Sequence, residues 1–143
     1  MPSISRNAIV PYTAAQMFAL VNAVEDYPRF LPWCSSSQVH SRNEDEVKAS
    51  IEMSKGAVRK SFTTLNRLQQ DKIIEIRLLD GPFDHLEGIW RFENLPNGGS
   101  RVSLDMEFKF AGRMISMLFG PIFHQIANML VDSFCKQADK IYR

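Results

Sequence analysis

The sequence predicts an α+β fold in which a curled antiparallel sheet of about seven strands wraps a long C-terminal helix. Three observations carry this reading. Apolar residues recur with a period of two from Trp33 to Phe110, they change to the helical period from Arg113 to Arg143, and short turn-forming strings separate the alternating runs. Short links between long alternating strands leave no room for crossover helices, so neighbouring strands pair antiparallel.

Taken in order, Ile4 to Val10 alternates weakly and forms a first strand. A helix begins at Tyr12-Thr13-Ala14-Ala15-Gln16-Met17, because Thr13 can cap the Gln16 amide while the Gln16 side chain reaches back, and Tyr12 can staple onto Met17. Met17, Phe18, Leu20, Val21 and Val24 give that helix one apolar face. Pro28 and Pro32 stop a long continuation, so Glu25 to Leu31 is a turn or a second small helix. Strands follow: Val47, Ala49, Ile51 and Met53 alternate with polar residues, Ile74, Ile76 and Leu78 share a face, and Leu86, Gly88, Trp90 and Phe92 alternate with His85, Glu87 and Arg91. The run Val102, Leu104, Met106, Phe108, Phe110 is the cleanest strand with one buried side. Asn43-Glu44-Asp45, Lys55-Gly56, Gln70-Asp71, Asp80-Gly81-Pro82 and Pro96-Asn97-Gly98-Gly99 are the turns. In the last segment Ile115, Leu118, Phe119, Ile122, Phe123, Ile126, Leu130, Phe134, Ala138 and Ile141 follow helical spacing, with a kink or break expected at Gly120-Pro121. Lys136, Lys140 and Arg143 suit the dipole at that helix end. Residues 1–143 are expected to form a single domain.

The curl follows from dimensions. Seven strands at about 4.8 Å spacing make a sheet nearly 30 Å wide. A helix is only about 10–12 Å across, although some 28 residues run about 42 Å. One helix cannot cover a flat sheet of that width, so the sheet bends around it. Such a grip leaves two arrangements open at one end. Trp90, Met106, Phe108, Phe110, Met114, Phe119 and Phe123 either fill a solid core or line an apolar pocket.

Composition narrows the function classes. With 45% hydrophobic and 23% charged residues, the chain is neither disordered nor fibrous. A net charge of +1 argues against a DNA partner held by phosphate neutralisation. Ten Phe and seven Met are the feature that stands out. The start Met-Pro-Ser-Ile-Ser-Arg has no apolar signal core, and no uncharged apolar run reaches membrane-spanning length, Met114 to Leu130 being interrupted by His124, Gln125 and Asn128. A cytoplasmic location is therefore expected, with Cys34 and Cys135 as reduced thiols. His40, His85 and His124 lack metal-ligand spacing, Ser35-Ser36-Ser37 has no base at recognisable spacing, and no phosphate-binding glycine loop occurs. The expectation is a binding protein without a metal or covalent cofactor, not an enzyme. His124 is expected to be a core or boundary residue.

Two strings carry a resemblance: Tyr27-Pro28-Arg29-Phe30-Leu31-Pro32-Trp33-Cys34, and Asp80-Gly81-Pro82-Phe83-Asp84-His85-Leu86-Glu87-Gly88-Ile89-Trp90-Arg91-Phe92. With the Phe108-Lys109-Phe110 strand end and the Phe134-to-Tyr142 helix end, the whole chain resembles a bacterial START-like family. Its members are described as polyketide cyclase/dehydrase, coenzyme Q-binding protein or ribosome association toxin. The resemblance implies a helix-grip fold of the Bet v 1-like kind and favours the pocket over the solid core. It implies a hydrophobic ligand, ubiquinone or a related isoprenoid lipid, in support of respiratory electron transfer. The tail would lie against Phe18, Trp90, Phe108, Phe110, Phe119 and Phe123, behind a lip of Pro28, Phe30, Leu31, Pro32 and Trp33. Met53, Phe62, Leu78, Phe83, Leu86, Met106, Met114, Leu118, Ile122 and Ile126 complete the expected lining, and a transient membrane contact would accompany loading. The alternative it implies is a toxin that binds the large ribosomal subunit and blocks subunit joining, with Arg59, Lys60, Arg67, Lys109 and Arg113 as contacts. The third is a polyketide cyclase or dehydratase, which would need convergent polar groups inside the cavity.

Overall fold

The structure is a computed structural model describing residues 3–143. Strand β1 (Ser3–Val10) leads to helix α1 (Ala14–Asn22), a 3₁₀ turn (Val24–Asp26) and the one-turn helix α2 (Tyr27–Phe30). Six strands follow: β2 (Cys34–Arg42), β3 (Glu46–Lys55), β4 (Val58–Gln69), β5 (Ile73–Asp80), β6 (Phe83–Asn94) and β7 (Ser100–Phe110). Helix α3 (Arg113–Tyr142) ends the chain. The α+β expectation is correct: seven antiparallel strands lie in the order β1-β7-β6-β5-β4-β3-β2.

Local chemistry sets the start of each layer. The capping box at α1 is present, with the Gln16 amide donating to Thr13 Oγ1 and the Thr13 amide to Gln16 Oε1. Tyr12 turns towards the far end of α3, donating its hydroxyl to Asp139 and packing its ring on Tyr142. Because β1 pairs with β7, α1 and α2 must carry the chain across the open end of the sheet to reach β2 at the other edge. At the β5–β6 turn, Gly81 has a positive φ, and a Cβ there would lie 2.6 Å from Phe62 Cβ, so only glycine fits.

The inner faces alternate as two-residue periodicity demands. In β7 the buried residues are Ser100, Val102, Leu104, Met106, Phe108 and Phe110. In β6 a register shift between Phe83 and His85 inserts one residue, which returns Phe83 to the inner face although its parity differs from Leu86, Trp90 and Phe92.

Helix α3 corrects the sequence reading in three ways. It runs unbroken through Pro121 rather than breaking there. Its packed stripe is Phe119, Phe123, Ala127, Val131, Phe134 and Ala138, so Leu118 and Ile141 fall outside it. It is also long and apolar enough, by length and composition, to cross a membrane, although here its stripe is packed on the sheet. The helix lies closest to β1 and β7, so the half of the sheet formed by β3, β4 and β5 curves over it at a greater distance.

Candidate functional site

Two internal regions and one outer groove surround α3. Around the first half of α3, aromatic rings close the space. Phe83 stacks on Phe110 at 4.4 Å, and Phe123 meets Phe108, Phe83, Phe110 and Phe62 edge-on at 4.7, 5.1, 5.7 and 6.2 Å. Phe119 packs beside Phe110. Edge-to-face rings at these separations are mutually attractive and leave no room for a guest. Phe83, Phe108, Phe110 and Phe119 were expected to face a ligand; they form a plug instead.

Beyond the plug lies a mostly apolar internal cavity of about 70 Å³. Phe62, Leu86, Trp90, Met106, Phe123, Ile126 and Trp33 line it, as expected from the sequence. So do Val24, Tyr27, Ala49, Ile51, Thr64, Asn66, Ile76, Ala127, Leu130 and Phe134, which were not anticipated. Phe134 was visible in the helical stripe. The informative omission is Thr64 and Asn66: both share the inward parity of Phe62 on β4, and both are buried. Thr64 Oγ1 donates to Asn66 Oδ1 at 3.0 Å, which satisfies two of the polar atoms and leaves the Asn66 amide hydrogens as donors at the cavity wall. The Tyr27 hydroxyl is engaged elsewhere, donating to the Val21 carbonyl, and burial raises its pKa well above the usual tyrosine value.

The third region is an open groove of about 1040 Å³ outside the cavity, between one flank of α3, the proline-rich corner after α2 and the β3–β4 turn. Phe30, Leu31, Ile122, Pro28 and Pro32 line it, so the expected lip exists, but it faces this groove. Trp33 and Ile126 belong to both walls and form the partition between groove and cavity.

The remaining predicted residues lie elsewhere. Phe18 is buried against Phe92 and Met53 is buried, and neither borders the cavity. Leu78 is half-buried and lies outside both walls. Met114 and Leu118 are 83% and 53% exposed, because they sit on the side of α3 away from the packed stripe, and so cannot line an internal site. His124 is exposed beside the Phe108 ring rather than in the core.

The charges proposed for a ribosome contact separate by environment. Arg59 pairs with Glu52 at 3.2 Å and Arg67 with Glu46 at 3.6 Å, which spends much of their field locally. The Lys60 ammonium lies 6.0 Å above the Phe119 ring. Lys109 and Arg113 are exposed, with no ion-pair partner among the described residues. Both cysteines are free; burial pushes the Cys34 thiol up to about 11 and raises that of Cys135. Among the described residues no group of three His, Cys, Asp or Glu side chains is placed to hold a metal ion.

Comparison with known proteins agrees with this architecture. Over 139 residues the chain is 42% identical to a ribosome association toxin, RatA, of Pseudomonas aeruginosa, covering 97% of this chain and 96% of that protein. It is 25% identical to the mitochondrial coenzyme Q-binding protein COQ10 of Dictyostelium discoideum, covering 92% of this chain and 66% of that protein. The crystal structure of the Zhui aromatase/cyclase from Streptomyces sp. R1128 superposes with a TM-score of 0.85 at 13% identity, covering 99% and 96% of the two chains, a likeness of fold. Residues 10–135 match the family described as polyketide cyclase / dehydrase and lipid transport. With its START-like sheet gripping α3, this chain belongs to that family.

Proposed function

We propose that this chain associates with the large ribosomal subunit in the cytoplasm and interferes with subunit joining, acting by binding rather than by catalysis. The observation that carries the proposal is the 42% identity to a ribosome association toxin across 97% of this chain. Likeness of that extent spans the outer surface as well as the core, and it is an outer surface that a ribosome would meet. The interior favours binding over catalysis: among the described residues, Tyr27, Thr64, Asn66 and the Trp33 and Trp90 indoles are the polar groups at the cavity wall, and they offer no acid–base pair.

Expression of the chain followed by sucrose-gradient sedimentation tests the proposal. The expected result is co-sedimentation with the large subunit, a smaller monosome peak and larger free-subunit peaks. Unchanged peaks, with the protein remaining at the top of the gradient, would refute it.

A second reading, carriage of ubiquinone or a related isoprenoid lipid, draws on the likeness to a coenzyme Q-binding protein and on the Thr64–Asn66 pair, which offers a quinone carbonyl a donor inside apolar walls. The cavity of about 70 Å³ would have to widen for it. Solvent extraction and mass spectrometry of protein made in its native host test this reading, and a consistent absence of any isoprenoid quinone counts against it.

A further inference from the structure

The outer groove has a charge distribution that neither reading uses. Four cations rim it, Arg29, Lys55, Lys136 and Lys140, and among the described residues no carboxylate lines its wall. In a chain with a net charge of only +1, that is a concentrated positive edge. Lys136 and Lys140 are successive residues on one flank of α3, four apart and so about 6 Å along the axis, and they share that flank with Ile122 and Met129. Nearby acids are occupied: Asp139 accepts from Tyr12 and pairs with Arg143, and Glu52 is held by Ser35 and Arg59. Asp132 is not part of the groove wall. Arg29 pairs with Asp26 at 3.5 Å, which offsets part of its charge, so Lys55, Lys136 and Lys140 are the rim cations with no ion-pair partner among the described residues.

The floor is the opposite of the rim. Phe30, Ile122 and Ile126 present apolar surface between the cations, and Trp33 with Ile126 divides the groove from the internal cavity. A free inorganic anion would satisfy the rim and leave this floor wet. A neutral apolar molecule would cover the floor and gain nothing from the rim. A nucleic-acid backbone would set its charged phosphates against aliphatic side chains. An amphiphile with an acidic head and one apolar tail satisfies both parts, and the partition gives its tail a direction in which to extend.

We propose that this groove is a binding site for a single-chain anionic amphiphile, with a carboxylate or phosphate head at the Lys136–Lys140 rim and the tail on the Phe30–Ile122 floor, directed towards Trp33 and Ile126. The groove contains none of the cations expected to contact a ribosome, Arg59, Lys60, Arg67, Lys109 and Arg113, and the proposal does not depend on that reading. It also differs from the quinone reading, because four cations select an anion over a neutral head.

The chain has two tryptophans, so the indole N–H region of a ¹H–¹⁵N spectrum reports Trp33 and Trp90 individually. The test is titration of the full chain with dodecanoate, dodecanol, inorganic phosphate and a short single-stranded RNA, each below self-association. Dodecanoate should shift the Trp33 resonance saturably. Dodecanol should bind about tenfold more weakly, and Lys136→Gln with Lys140→Gln should weaken dodecanoate about tenfold while leaving dodecanol binding and the unfolding midpoint unchanged. Phosphate alone should leave Trp33 unmoved. Equal affinity for dodecanol and dodecanoate, no saturable shift with dodecanoate, or full dodecanoate affinity in the double variant would each overturn the proposal. So would phosphate or RNA moving Trp33 where dodecanoate does not.

Discussion

Phe123→Ala distinguishes a filled interior from a ligand chamber at the plug. Phe123 is buried on α3 and meets four other rings, those of Phe62, Phe83, Phe108 and Phe110. Burying a Phe side chain contributes roughly 1.5–3 kcal/mol, and each favourable aromatic pair adds about 0.5–1.5 kcal/mol beyond area. The pair contributions do not add fully, since neighbouring rings partly re-pair, but a residual cavity adds its own cost; the truncation should lie at about 3–5 kcal/mol. For a chain of this size that is a fall in Tm of very roughly 10–20 °C. Urea titration followed by circular dichroism measures the change, with an unchanged m-value as the sign that only stability has moved. Met117→Ala, at a residue 75% exposed on the same helix, should cost less than about 0.5 kcal/mol and serves as the control. If the plug were instead a chamber held open for a guest, Phe123 would have slack around it. A cost below about 1.5 kcal/mol would refute the filled-plug argument.

Two further outcomes follow from burial. Ala49→Val adds methyl groups on a β3 position that borders the internal cavity, and should raise stability by about 0.5–1 kcal/mol because it fills space in a strand that favours branched residues; a loss of stability in urea titration would mean that the cavity wall cannot accept them. Cys34, whose thiol burial raises to about 11 from an ordinary 9.0, should present roughly one thiolate in a thousand at pH 8, so mass spectrometry should find it alkylated far more slowly than an exposed thiol. Folding holds that proton on, so the contribution is complete below about pH 9 and is lost as pH rises towards 11; stability that increased over this interval would contradict the assignment.

Local signals were legible in the sequence because they depend on neighbours a few residues apart. The α1 capping box is one case and the β7 alternation another. Helical phase at the start of α3 was not. Met114 and Leu118 are as apolar as Phe119, yet at about 100° per residue Leu118 points well away from Phe119, and Met114 lies about 140° from it. Which apolar residues face inward is decided by the sheet, and the sheet's reach around the helix is a long-range property. Phe83 shows the same dependence: strict alternation from Leu86 turns it outward, and the inserted residue before His85 turns it back. Thr64 and Asn66 share the spacing of Phe62 and so its inner face, but a polar side chain does not itself declare that its face is buried.

The position of the cavity reverses the weight given to large residues. Abundant Phe and Met are compatible with a solid core or a chamber where they cluster, and rings that attract one another edge-on consume the space they enclose. The internal space persists where the wall includes short side chains, Ala49, Thr64, Asn66 and Ala127, opposite the wide arc of β3 to β5. At about 70 Å³ against roughly 30 Å³ of liquid volume per water, it is a space for a couple of water molecules. A ligand of lipid size exceeds that space, and Trp33 and Ile126 stand between it and the larger outer groove. Phe123 borders the same cavity one turn before Ile126 on α3, so the ring cluster and the shared partition are neighbours along one helix.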